Sequence, residues 1–229
     1  CNVDIDNVIE TVDVKTIYEA PISFYKEKLD KQVLKYFKIK TKRLPNLKPW
    51  HKTKNVVLKS KNQVNISVIG KYVDLKDAYK SIDEALVHGG IANNTRVNLN
   101  KIDSEKLTFS QIKNKLSSTN GILIPGGFGK RGTEGKIQSI KFARINKIPF
   151  FGICFGMQLS LIEFARNVLK IKNAGSTEIN KKCTPIIGLI EEWYKDGILK
   201  KGELKKIGGT MRLGQYECNL QKNSLIKKI

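Results

Sequence analysis

Ile148-Pro149-Phe150-Phe151-Gly152-Ile153-Cys154-Phe155-Gly156-Met157-Gln158 runs from an apolar stretch, through two glycines flanking a cysteine, into a segment of helical periodicity. The apolar residues 148–153 predict a buried strand, and residues 156–170 predict a helix. Between them, G-x-C-x-G is the cysteine form of a nucleophile elbow, a sharp strand-to-helix turn that leaves little room beside its central residue. The N-terminal N–H groups of the helix point toward the sulfur and favour negative charge there. The Phe155 N–H would then face an oxyanion forming on a substrate carbonyl. Those five residues alone also fit a small cysteine in a core strand. The order strand, elbow, helix favours the catalytic reading.

Upstream, Ile122-Leu123-Ile124 predicts another strand, and it runs into Pro125-Gly126-Gly127-Phe128-Gly129. Adjacent glycines let a backbone approach a ligand closely and present its N–H groups, although a plain turn uses the same residues. If the two strands are neighbours, both glycine loops face one crevice, and the Gly127 N–H completes an oxyanion hole with that of Phe155. Residues 64–70 predict a first strand. Asp74 is expected to cap a helix with the apolar face Leu75, Tyr79, Ile82, Ala85 and Leu86, closed by Gly89-Gly90. Residues 97–99 predict a short strand, and residues 134–146 a helix with Ile137, Ile140, Phe142 and Ala143 on its apolar side. Strands alternating with helices imply an α/β fold: a parallel sheet with helices on both faces, and ligands at the carboxyl ends of its strands. This domain spans 64–229. Before it, residues 1–40 carry one helical pattern (Ile22, Tyr25, Leu29, Val33, Leu34, Phe37), and 41–63, with Pro45 and Pro49, reads as a linker.

The net charge of +21 invites a nucleic-acid partner, but 36 of the 42 basic residues are Lys, and they are scattered through every segment. No basic stripe with interleaved aromatics forms, so the charge reads as a solvated surface. No run of about 18 apolar residues is present, so neither a membrane span nor a signal peptide is expected. The four cysteines, Cys1, Cys154, Cys183 and Cys218, lack CxxC or metal-ligand spacing. No metal site is expected in this segment, and a reducing cytoplasm suits the thiols.

Residues 121–135, from Gly121 through the glycine loop to Lys130-Arg131-Gly132-Thr133-Glu134-Gly135, together with 148–158, resemble the oxyanion loop, lid and nucleophile segment of the CTP synthase family. The resemblance extends to Gly70-Lys71-Tyr72, Asp77-Ala78-Tyr79-Lys80-Ser81, Ser176-Thr177-Glu178 and Gly208-Gly209-Thr210-Met211-Arg212-Leu213-Gly214. Residues near Cys1 and at Asp13-Val14 and Ile17-Tyr18 resemble the end of that family's synthetase domain. The long lid and the Gly208–Gly214 motif set this family apart from other class I glutamine amidotransferases.

The resemblance implies a flavodoxin-like class I amidotransferase domain preceded by a synthetase-domain tail at 1–40. It implies a ligase that makes CTP from UTP, ATP and glutamine, with magnesium as cofactor, GTP as activator and a homotetrameric assembly. Cys154 would be the nucleophile, and Gly127 and Phe155 the oxyanion donors. Gly127, Phe155, Gly156, Met157, Gln158 and Glu178 would hold glutamine, while Val12, Asp13 and Val14 would touch ATP. Phe155 and Gly175 stand where the family usually has Leu and Asn, which is expected to crowd the pocket and loosen the Glu178 loop. The family's base, a His followed two residues later by a Glu, matches neither His51 nor His88. The segment alone is therefore expected to be inactive. A catalytically dead, nucleotide-sensing module remains the alternative, separable by the flanking coding sequence.

Overall fold

The computed structural model describes residues 2–75, 77–127, 129–188, 192–195, 198–201 and 217–228. Cys1, Phe128 and the Gly208–Gly214 motif lie outside them. Two compact units form, Cys1–Ile187 and Gly188–Ile229.

The first unit opens with helices α1 (Ala20–Lys26) and α2 (Leu29–Tyr36). The single apolar pattern expected over 22–37 is broken at Lys28, whose φ of 62° is left-handed. Within 41–63, read as a linker, the chain forms α3 (Lys48–Lys59). Pro49 fits its first turn, where the missing N–H costs nothing, and the Lys48 N–H bonds to the Asn46 side chain at 3.1 Å. Half-buried Val56, Val57 and Leu58 reward the helix by packing. The N-terminal segment is tied down by the buried ring of Tyr18, which lies 5.9 Å from the His88 ring and bonds to Glu84 at 3.4 Å, and by a Glu19–Lys54 ion pair.

Next come β1 (Gln63–Gly70), α4 (Lys80–Ala92), β2 (Arg96–Asp103), α5 (Phe109–Leu116), β3 (Gly121–Ile124), α6 (Thr133–Ile145), β4 (Phe150–Gly152) and α7 (Phe155–Asn167). All four strands are parallel, in the order β2-β1-β3-β4. With right-handed crossovers, the reversal of direction at β1 puts α4 on one face and α5 to α7 on the other. This is the doubly wound sheet that the alternating pattern predicted. Ile69, Ile122, Ile124, Ile137, Ile140, Phe155, Leu159 and Ile162 fill the space between the sheet and α5 to α7. Each such buried side chain is worth roughly 1.5–3 kcal/mol over its exposed state. The strand pair β5 (Ala174–Ser176) and β6 (Thr184–Ile187) follows.

Two helix predictions need correction. The helix after β1 begins at Lys80, not at Asp74, which is exposed in the preceding loop. Tyr79, 4% exposed, packs its ring over Gly70 and holds the intervening residues in turns. That helix also runs through Gly89-Gly90 to Ala92. An unexpected helix, α5, is set by the capping box of Thr108 and Gln111 and by buried Ile112 and Leu116.

In the second unit, β7 (Glu192–Lys195) pairs antiparallel with β8 (Ile198–Lys201), and α8 spans Leu225–Lys228.

Between α6 and α7, Arg144 grips Glu163 with two nitrogens, at 2.8 Å from Nη2 and 3.0 Å from Nε, and the Glu163 carboxylate is almost fully buried. Removing the cation strands that carboxylate. Arg144→Met should cost about 2–3 kcal/mol, discounted because Arg144 is partly exposed, and Arg144→Met/Glu163→Met should recover most of it. Urea unfolding of the three proteins checks this. A double variant no more stable than the single would refute it.

Candidate active site

The elbow forms as the motif predicts. Cys154 caps α7 at φ 54°, ψ −110°, outside the regions that L residues favour, and its free thiol is exposed. The turn is held by contact. A Cβ on Gly156 would lie 2.1 Å from the Ile124 carbonyl oxygen, and one on Gly152 would lie 2.6 Å from the Met157 nitrogen. Both glycines are there because backbone meets backbone.

β3 and β4 are hydrogen-bonded neighbours, so the two glycine loops do share one crevice. Gly126 is the residue beside the thiol: a Cβ built there would be 3.4 Å from the Cys154 Cβ and 3.9 Å from its Sγ. Gly127 has φ +124°, which a side chain strongly disfavours, and faces Lys71 and Tyr72. The Gly129 N–H donates to Glu178 Oε1 at 2.9 Å, and the Gly129 carbonyl accepts from Thr133 Oγ1 at 3.2 Å. Glu178 thus reaches the loop from the segment after β5. Met157 is exposed and Gln158 half-buried on the first turn of α7.

One expectation about unusual residues fails. Phe155 does not crowd the crevice, because its ring is fully buried in the core. Gly175 lies in β5, where a Cβ would come within 2.9 Å of the Cys183 Cβ.

The crevice is strongly positive. Lys71 Nζ and the Arg131 guanidinium sit 5.2 and 5.3 Å from the Tyr72 ring centre, and Arg131 also bonds to Glu105 at 3.2 Å. Beneath them Lys136, on the first turns of α6, is fully buried, with Nζ 5.7 Å above the Phe155 ring. Among the described residues this Nζ has no hydrogen-bond partner. Burial first, then Lys71 and Arg131, pushes its ammonium down to about 8. The helical pattern over 134–146 leaves residue 136 off the apolar side. Its one signal was its spacing: it precedes apolar Ile137 and sits four residues before apolar Ile140.

Val12, Asp13 and Val14 lie elsewhere, lining an open pocket of about 290 Å³ with Lys15, Glu19 and Ser23. His51 is on α3, and His88 packs on Tyr18. Among the described residues no cluster of His, Cys, Asp and Glu could hold a metal ion, and no helix is long and apolar enough to cross a membrane.

A cysteine on a strained elbow, a glycine loop against it and a carboxylate from a third segment define a glutamine amidotransferase of class I. The chain belongs to that family, whose sequence profile matches residues 74–228. Over all 229 residues it is 67% identical to a CTP synthase of Pelagibacter ubique, of which it covers 43%. Over 225 residues, 96% of this chain, it is 48% identical to a CTP synthase of Maridesulfovibrio salexigens, covering 41% of that protein. It therefore spans less than half the length of these curated relatives. Among solved structures, the glutaminase domain of Trypanosoma brucei CTPS with bound acivicin is similar at a TM-score of 0.50 and 39% identity, over 53% of this chain and 47% of that one.

Lys136 links stability to pH. An unfolded chain keeps the lysine proton up to its ordinary value of 10.5, whereas the folded protein releases it near 8. Between these values the unfolded state binds more protons, so this group's contribution to stability rises with pH, and below 8 its penalty is complete. Lys136→Met should accordingly raise Tm at about pH 7 by a few degrees, with the gain shrinking toward about pH 10. Paired thermal melts at both pH values decide. A variant that melts lower at neutral pH contradicts this account.

Proposed function

We propose that this chain carries the ammonia-releasing half of a CTP synthase. The observation that carries the reading is the exposed Cys154 thiol on its strained turn, with Gly126 packed against it and Glu178 bonded to the same loop. Cys154 Sγ attacks the side-chain amide carbon of glutamine, forming the S–C bond and putting the carbonyl electron pair on oxygen. The N–H groups of Gly127 and Phe155 receive that oxyanion. As the oxyanion pair re-forms the carbonyl and the C–N bond breaks, nitrogen takes the proton that the Cys154 thiol gave up and leaves as ammonia. Water then cleaves the glutamyl thioester to glutamate and returns the thiol. Gly156, Met157 and Gln158 line the pocket. Glu178, acceptor-only when ionised, suits the substrate ammonium and can exchange its Gly129 partner for it.

In the whole protein the ammonia aminates UTP in an ATP- and magnesium-dependent step, with GTP as activator, in a cytoplasmic homotetramer. Residues 1–40 are the tail of the synthetase domain, with Val12, Asp13 and Val14 toward ATP, 41–63 the connection, and 64–229 amidotransferase. The site fits ammonia transfer better than nucleotide sensing alone, because sensing has no use for an exposed thiol in strained geometry.

Neither His51, on α3, nor His88, packed on Tyr18, is taken as the general base in this reading. The 229-residue chain should therefore capture glutamine-like electrophiles at Cys154 without turning glutamine over. General acid–base groups supply roughly 10²–10⁴-fold, and ammonia release should fall short of a complete CTP synthase by at least that much. Acivicin labelling of Cys154, abolished by Cys154→Ala, with negligible ammonia release supports the reading. Comparable release from the chain and from the complete enzyme would assign the base to one of its own histidines and overturn it.

A further inference from the structure

Lys136 is the least expected side chain in the molecule. A lysine is rarely buried completely, and when it is, it ordinarily has a counter-charge. Here the side chain is 0% exposed, its Nζ has no hydrogen-bond acceptor among the described residues, and it lies 5.7 Å from the centre of the Phe155 ring. The charges that act on it, Lys71 at the end of β1 and Arg131 before α6, are both positive. Among the described residues no carboxylate is hydrogen-bonded to it: Glu178 is held by the Gly129 N–H, and Asp103 of β2 pairs with Lys106. On α7, Glu163 is held by Arg144, and Arg166 by Glu134 of α6 itself. On α5, Lys113 and Lys115 are exposed, and in the loop after β2 Glu105 is held by Arg131. Its own position in the first turns of α6 adds the positive end of a helix dipole.

A fold that keeps an uncompensated cation dry must recover its cost somewhere. The missing anion has one natural place. Phe155, whose ring the ammonium overlies, is the residue that follows Cys154, and its N–H is one of the two proposed oxyanion donors. We propose that Lys136 is a positioning residue of the glutamine cradle, a fixed positive charge whose counter-ion is the negative charge that develops on the substrate once Cys154 has attacked. It acts through Phe155 and the glycine loop without touching substrate, and it favours the attacked state over the free site because only the attacked state supplies the anion. This inference rests on the reading of the site given above.

The probe is acivicin. Thiolate addition to its chloro-bearing ring carbon moves the C=N electron pair onto the ring nitrogen; that pair then re-forms C=N as chloride leaves with the C–Cl pair, and the S–C bond remains. Negative charge therefore builds up on the acceptor inside the cradle. Iodoacetamide is the control, because its direct displacement of iodide puts no such charge there. Both reagents need the thiolate, so its ionisation cancels in the ratio of the two rates, read at Cys154 by peptide mass spectrometry. In the full 229-residue chain, Lys136→Met should slow acivicin labelling about tenfold, less than the 10²–10³ of a direct donor, and leave iodoacetamide labelling within about twofold. In the unsubstituted chain, which needs no variant to fold, the ratio of acivicin to iodoacetamide rates should fall as pH rises through about 8, where the ammonium loses its proton. It should stay flat in Lys136→Met. Equal acivicin labelling of the two chains, or a ratio without pH dependence in the unsubstituted one, overturns the role of Lys136 alone. An unsubstituted chain that takes up iodoacetamide but not acivicin at Cys154 overturns the reading of the site and this inference with it.

Discussion

The backbone of Gly156 passes so close to β3 that a single methyl group there would stand 2.1 Å from the Ile124 carbonyl oxygen. Much of the site depends on that approach. It brings the first turn of α7 onto the carboxyl end of β3, leaves Cys154 no relaxed conformation, and lodges the Phe155 ring in the core as an anchor. The strain of the turn is offset by burial on either side, with Ile124 and Leu159 both fully enclosed. The thiol is exposed by the turn, and the turn is held by the packing around it.

Much of this was readable from the residues. Apolar runs of four to six residues ending at glycine, alternating with helical periods, specify a parallel sheet, and the glycines around Cys154 specify an elbow. What escaped reading was fixed by contacts that periodicity does not encode. Asp74 is a good helix-capping residue, but Tyr79 gains more by covering Gly70, and the helix waits until Lys80. α5 has eight residues, too few for its period to stand out from the surrounding polar sequence. The 22–37 pattern is continuous, yet Lys28 adopts a left-handed conformation and splits it. The motifs found the cysteine, the glycine loop and Glu178. They did not find Lys136, because nothing local singles out a buried lysine among 36.

The abundance of lysine thus conceals two different electrostatic situations. Most of the positive charge is spread over solvated surface, where salt screens it and it does little more than favour encounters with anions. The charges of Lys71, Arg131 and Lys136 converge near the carboxyl ends of the strands, and burial strengthens what Lys136 feels of the other two. Arg131 is offset by Glu105, whereas Lys136 has no hydrogen-bond partner among the described residues and is costly to hold there until an anion approaches. It suits chemistry in which negative charge appears only briefly.

The strand order carries a further implication, for the moment at which the protein acquires its reactivity. β1 lies between β2 and β3, and β4 joins only through β3, so the elbow rests on pairings made across long stretches of chain. Non-local parallel pairings form slowly, after their loop entropy has been met. Until β3 and β4 have paired, the Gly152–Gly156 turn has no strand to rest against, so the conformation of Cys154 is decided by residues far from it in the chain and is acquired only with the sheet.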